Sequence, residues 1–447
     1  MKLVSYVITM LVTTAAATFG QTRITGTWRA EGVGTAPWTV ALRADGTRLT
    51  GKVSSCTSLP VEVYEGRIYG NTVSFKCRSL DGDRVVTLRG TVHAGEIVFT
   101  WAKQVRDGGA LRPSDIDLDL QDANAHEMFD ASTPLQFTAR RVQDAGTEFA
   151  AALNLPEKGM KVEGTLFLPP NVDQVRAVIV LLNSGTSWDG MGGAFYLDPE
   201  LRRLSDSLSC ALLLPRITST SMTDSASAPA FGHVDVLRNA GVGGAEGLLR
   251  LLERLGAESR HPEVAAAPLL LWGHSRTGHF AATFAALQSP RVVAVVGYHS
   301  GAVGLAGHDL DVLRKIPALI LMAKADIPNA YRPGFRMPPA ETVWRSGRAV
   351  GAPWTFGIEP DAVHQNPNDL KKANVLVIPW VTAVLRQRLS PGGGDLRVVT
   401  DGSAWLGNIQ TGEIAPSASY SGPEREATWL PDEQSARGWR VAVGAAK

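Results

Sequence analysis

Five short runs built almost wholly from Val, Ile, Leu and Ala constrain this chain more than any other feature. They are "AVIVLLN" (Ala177 to Asn183), "ALLLPR" (Ala211 to Arg216), "PLLLWG" (Pro268 to Gly273), "VVAVVGY" (Val292 to Tyr298) and "ALILMA" (Ala318 to Ala323). Runs of this length without polar alternation suit strands buried on both faces, as in parallel sheets. The intervals carry helical patterns, clearest at Leu248, Leu249, Leu251, Leu252 and Leu255, with Gly256 as a C-cap. Strand and helix in alternation predict an open, mostly parallel α/β sheet with helices on both faces, over residues 143–390. "MKVEGTLFLP" is expected to be its edge strand.

The preceding region has a different rhythm. From Ile24 to Trp101, segments such as "WTVALRA", "VEVYEGRIY", "TVSFKCR" and "EIVFTW" alternate in polarity or favour β-formers. Asp45-Gly46, Gly70-Asn71, Asp81-Gly82 and Ala94-Gly95 separate them as hairpin-turn pairs. About seven short strands at this spacing predict a small antiparallel barrel or sandwich within residues 21–142, and "LQFTARRV" can add a closing strand. After Pro391 and three glycines comes a tail, residues 391–447, expected to dock on the α/β domain.

The first 20 residues read as a signal peptide: Lys2, then "LVSYVITMLV", then the small-residue run "TTAAATFGQ". Cleavage is expected after Ala17 or near Gly20, which makes the protein secreted or periplasmic and leaves no membrane span. In that compartment Cys56 and Cys77 can pair as a disulfide or remain buried thiols, while Cys210 has no partner. A formal net charge of +1 without blocks of like charge argues against nucleic acid or anionic lipid as a partner.

The third apolar run ends in "GHSRTGHF". A serine hydroxyl is a weak nucleophile unless a base takes its proton and a third group holds that base. A sharp strand-to-helix turn would lift Ser275 out of the sheet, with Gly273 two residues before it and a helical segment after it. Thr277 stands where the G-x-S-x-G pattern has its second glycine. A β-branched side chain must fit there, with Gly278 supplying the relief, and Thr277→Gly is expected to be tolerated.

The base should follow the nucleophile in the chain, and beyond residue 308 a single histidine of the nine remains, His364. A lone loop histidine is commonly surface decoration, but its position and uniqueness favour the functional role. The acid should lie between them. Asp326 alone comes directly after a buried-type strand; Asp309 and Asp311 are the alternatives, and Glu341, Glu359 and Asp361 fit less well. The amide of Arg276 is expected to stabilise an oxyanion, with Gly185 or Thr186 in the loop "NSGTSWDGMGG" as second donor. His274 and His279 flank the turn and read as packing or surface residues rather than metal ligands.

With these residues in order, positions 150–390 resemble the α/β-hydrolase superfamily, and within it the secreted carboxylesterases and dienelactone-hydrolase-like enzymes. The departures are Thr277 and "LLNSG", where many members carry a histidine-glycine pair. The resemblance implies ester hydrolysis through an acyl-enzyme on Ser275, with His364 as base, Asp326 as acid, and no metal or organic cofactor. A small-molecule or acylated-carbohydrate ester is the expected substrate, and acyl transfer to an alcohol would use the same residues. The competing reading is a non-catalytic carbohydrate- or polymer-binding protein on a degenerate hydrolase fold, with exposed Trp28 or Trp38 stacking on a sugar.

Overall fold

The computed structural model describes residues 24–30, 38–55, 61–78, 85–93, 95–105, 136–141, 146–170, 172–182, 191–219, 243–275, 277–300, 310–327, 340–364, 369–390, 395–399 and 404–445. The chain divides into two compact units, Met1–Ala145 and Gly146–Lys447.

In the first unit eight antiparallel strands close into a barrel: β1 (Gly26–Ala30), β2 (Trp38–Asp45), β3 (Arg48–Ser55), β4 (Val61–Tyr69), β5 (Thr72–Arg78), β6 (Val85–His93), β7 (Glu96–Val105) and β8 (Gln136–Arg141). Closure comes from β8, which pairs with both β7 and β1 and so removes the free edges that an open sheet would expose. Tight hairpins join Asp45 to Arg48 and Tyr69 to Thr72, with Gly46 and Gly70 at φ 58° and 61°. Those left-handed values explain the glycines. The Asp81-Gly82 pair lies outside the described residues.

Side chains at a period of two fill the barrel. Trp38 meets Phe137 edge-on at 5.3 Å, and Phe99 lies 5.8 Å from Phe75 and 5.2 Å from Phe137. Trp28 is 1% exposed and its indole N–H donates to the Ile24 carbonyl; Trp38 is 2% exposed. Neither is the exposed stacking platform that the binding reading requires, because the alternation that makes β1 and β2 strands points both indoles inward. Cys77 is a buried free thiol whose pKa burial pushes far up, and Cys56 lies outside the described residues.

The second unit is built on an eight-stranded sheet of β9 (Thr147–Leu155), β10 (Met160–Leu168), β11 (Ala177–Leu182), β12 (Cys210–Ser219), β13 (Leu269–His274), β14 (Val292–Tyr298), β15 (Ala318–Ala323) and β16 (Trp354–Glu359). Their order is β16-β15-β14-β13-β11-β12-β10-β9. From β12 to β16 all pairs are parallel, and β10 runs antiparallel to β12 and β9. "MKVEGTLFLP" is therefore an inner strand, and the edge is β9. That strand was hidden because "TEFAAALNL" is rich in Ala, a weak strand former.

The sheet is covered on both sides. Val178, Val180, Leu269 and Leu271 pack with Leu248 and Leu252 of helix Gly244–Ser259 and Phe280 of helix Thr277–Leu287. The alternate residue Trp272 meets Phe195 of helix Met191–Leu197 at 4.6 Å. Strand order reverses at β11, between β12 and β13, and ligands of such sheets bind beyond the strand ends at the switch point.

The tail covers the β16 side of the sheet. It folds into a small antiparallel sheet, β17 (Trp405–Gly407), β18 (Ile414–Pro416) and β19 (Thr428–Leu430), followed by helix Glu433–Ala442. Trp439 donates its indole N–H to the Phe356 carbonyl at 2.7 Å, and the Phe356 amide donates to Thr428 Oγ1 at 2.7 Å. Thr355, fully buried, accepts from the Trp380 indole at 2.8 Å and donates its hydroxyl to the Trp429 carbonyl. Thr355→Val keeps the shape and strands one donor and one acceptor. The expected loss is about 2–4 kcal/mol, read as a lower urea midpoint; an unchanged midpoint would show that the Thr355 hydroxyl adds nothing to how the tail is held.

Candidate active site

Ser275 sits at the turn between β13 and helix Thr277–Leu287, with φ at 55°. For a residue with a Cβ this left-handed value is strained by about 1–3 kcal/mol and persists only where surroundings enforce it. Here the Ser275 amide donates to the Tyr298 carbonyl of β14 at 3.1 Å, and its own carbonyl accepts from the Gly278 amide at 3.2 Å. The helix presses close to the strand. A Cβ on Gly273 would lie 2.4 Å from the Thr277 carbonyl oxygen, and one on Gly278 would lie 2.0 Å from Ser300 Oγ. Gly273, not Gly278, therefore relieves the crowding between strand and helix, and Gly278 makes room for Ser300.

Thr277 does more than fit. Its buried hydroxyl oxygen accepts from the His274 amide at 3.0 Å. Its proton can go to the His274 carbonyl at 2.8 Å or the Leu182 carbonyl at 3.1 Å, at the end of β11. A glycine would leave the His274 amide without this acceptor, so the expectation that Thr277→Gly is tolerated is replaced. Thr277→Val should lower stability by about 1–3 kcal/mol through the unsatisfied amide. Thr277→Gly should cost more, since it also loses helix propensity and packing. Denaturant midpoints of the two variants check the order; a glycine variant as stable as wild type would contradict it.

His364 lies in the loop after β16, and Asp326 ends the short turn Lys324–Asp326 after β15. The two loops are tied by the Ala325 amide, which donates to the Ala362 carbonyl at 3.4 Å. The side chains meet across them: His364 Nε2 is 2.9 Å from Ser275 Oγ, and Nδ1 is 2.8 Å from Asp326 Oδ2. With the carboxylate ionised, Nδ1–H donates to Asp326 and Nε2 accepts the serine proton. Asp326 is 15% exposed and His364 47% exposed, so the imidazole stands open while its carboxylate is sheltered.

Among the described residues, the other carboxylates weighed for the acid make no contact with the His364 ring. Glu341 pairs with Arg345 on the outer face of helix Ala340–Ala349, Asp361 is exposed, and Glu359 binds another histidine. Asp309, the Asp311 side chain, and all three expected oxyanion donors, Arg276, Gly185 and Thr186, lie outside the described residues.

Two more histidines close on the site from below. His274, fully buried, has Nε2 2.7 Å from the His364 carbonyl oxygen. His299, at the end of β14, has Nδ1 3.0 Å from the same oxygen and Nε2 2.8 Å from Glu359 Oε2. Reading by sequence took His274 for packing and passed over His299. The available signal was its place directly after a buried strand, in "VVGYHSG".

Burial, helped by the neighbouring His364 and His299, lowers the His274 pKa from 6.5 to about 3. The folded protein thus keeps this ring neutral while the unfolded chain takes up a proton below about pH 6.5. Stability from this group is complete above that pH and drains away as pH falls toward 3, by on the order of a few kcal/mol. His274→Gln should flatten the fall in urea midpoint between pH 7 and pH 4. An equal slope in both proteins would assign the acid sensitivity to other groups.

No family model and no curated protein matches the chain. Among solved structures it is similar to a dienelactone hydrolase from Anabaena variabilis, at 19% identity over 55% of this chain and 99% of that one, with a TM-score of 0.37. An S-formylglutathione hydrolase from Agrobacterium tumefaciens matches at 13% identity over 56% of this chain and 98% of that one, with a TM-score of 0.38. A ferulic acid esterase matches at 14% identity over 54% and 99%, with a TM-score of 0.37. The order and direction of the strands and the strand-turn-helix at Ser275 are those of an α/β-hydrolase sheet.

Proposed function

We propose that the protein is an exported serine hydrolase that cleaves carboxylic esters through an acyl-enzyme on Ser275. One observation carries the reading: a serine held at a left-handed backbone angle, 2.9 Å from an imidazole nitrogen whose other nitrogen lies 2.8 Å from a sheltered carboxylate. As Ser275 Oγ attacks the ester carbonyl, His364 Nε2 takes its proton. It returns that proton to the departing alkoxide, and the acyl group stays on the serine. His364 then deprotonates a water that attacks the acyl-enzyme, releasing the acid and restoring the hydroxyl. Asp326 holds the ring with Nδ1–H inward and stabilises the imidazolium formed in each half. The amide of Arg276, with that of Gly185 or Thr186, would receive the oxyanion, each donor contributing roughly 10²–10³ in rate.

The substrate is an ester of a small molecule or of an acylated carbohydrate, and the charged, then apolar, then small-residue pattern of residues 1–20 supports action in the periplasm or outside the cell. The binding reading has no such observation behind it, since Trp28 and Trp38 are interior.

A fluorophosphonate probe should label wild type at Ser275 and leave Ser275→Ala unlabelled. Turnover of a short-chain nitrophenyl ester should vanish in Ser275→Ala and fall about 10⁴-fold in Asp326→Asn. Undiminished hydrolysis by purified Ser275→Ala would remove the proposal.

A further inference from the structure

We propose that His274, His299 and Glu359 are positioning residues that fix the base by clamping its main chain, two imidazole N–H groups converging on the carbonyl oxygen of His364. The inference rests on the reading of Ser275, His364 and Asp326 given above and deepens it.

The geometry leaves one assignment of donors. A carbonyl oxygen only accepts, so His274 Nε2, 2.7 Å away, and His299 Nδ1, 3.0 Å away, must both carry hydrogen. The two lone pairs of that oxygen are then filled from two sides. The donors come from the ends of neighbouring strands, β13 and β14, whose ends are linked by the Ser275 amide donating to the Tyr298 carbonyl. The His364 oxygen, which can only accept, also sets the tautomer of His299 by requiring hydrogen on Nδ1, while Glu359 Oε2, 2.8 Å from Nε2, holds the ring from its other side. The carboxylate belongs to the last residue of β16, the root of the same loop, so the loop is fastened to its own base five residues upstream.

The reason such a clamp matters lies in the exposure of the base. The His364 side chain is 47% exposed, and packing cannot set its position to the few tenths of an ångström that proton transfer requires. His274 and His299 are buried away from solvent; both hold the backbone that carries the base, and His274 also lies against its ring, the two centroids 5.0 Å apart.

Asn places an amide nitrogen near the position of a histidine Nδ1, and Gln near that of Nε2, which supplies conservative replacements for each donor. The full-length protein is compared as wild type, His299→Ala, His299→Asn, His274→Leu, His274→Gln and Glu359→Leu. Active sites are counted by fluorophosphonate labelling, and nitrophenyl-ester kinetics are expressed per labelled site. His299→Ala, His274→Leu and Glu359→Leu should lose roughly 10- to 100-fold in kcat per site with KM within about twofold. His299→Asn and His274→Gln should recover most of that loss.

Wild-type kcat per site in His299→Ala, or a loss that the Asn and Gln variants do not recover, would overturn the clamp. If His299→Ala and His274→Leu yield no folded protein, Glu359→Leu and the two amide variants decide by the same criteria. Absence of labelling and turnover in wild type would instead overturn the underlying reading of Ser275.

Discussion

The close approach of helix Thr277–Leu287 to the end of β13 is the constraint on which the site depends. Ser275 is bent into a left-handed conformation because the chain must pass from a buried strand to a helix with no intervening loop. That bend is paid for by surroundings that can close on it: no side chain at Gly273 where the Thr277 carbonyl presses, and none at Gly278 where Ser300 fills the space. Thr277 adds a hydroxyl that ties the bend to the end of β11 as well. The strain, the glycines and the buried hydroxyl are one arrangement. Its consequence is that Oγ stands clear of the sheet at the switch point, within reach of loops from β15 and β16.

Much of this was legible in the residues, for a physical reason. Parallel strands buried on both faces must be apolar throughout, so β11 to β15 announced themselves, and with them the strand ends where Ser275 and Asp326 lie. Chain order narrowed the candidate base to one histidine, and His364 does lie 2.9 Å from Ser275 Oγ. The barrel was legible from hairpin glycines at positive φ, and its closure by β8 followed from one further alternating segment. What escaped detection has equally definite causes. Strand β9 is alanine-rich and takes its conformation from pairing with β10 rather than from propensity. Thr277 looked like a failed glycine because its contribution is a hydrogen bond, which a spacing pattern does not encode. His299 and Glu359 are 60 residues apart and meet only because their strands end at the same edge of the sheet.

In the proposed mechanism the exposure of His364 poses a problem that side-chain packing alone does not solve. The imidazole must meet solvent and substrate, so few contacts are available to hold it on the open side, yet a shift of an ångström would break both hydrogen bonds of the Ser275–His364–Asp326 array. Asp326 restrains the ring through Nδ1, Ser275 meets Nε2 and the His274 ring lies 5.0 Å away on the inner side. Further restraint comes through the backbone, where the His364 carbonyl oxygen meets His274 Nε2 and His299 Nδ1. Two imidazoles on that oxygen are an expensive way to satisfy one acceptor, since burying each ring sacrifices hydration of its polar atoms and forbids the charged form of His274. A single amide or water would have met the hydrogen-bonding requirement. In the proposed clamp two rigid donors from separate strands instead fix a point in space, and because Glu359 anchors one of them at the root of the same loop, movement of the loop would have to break these contacts before displacing His364.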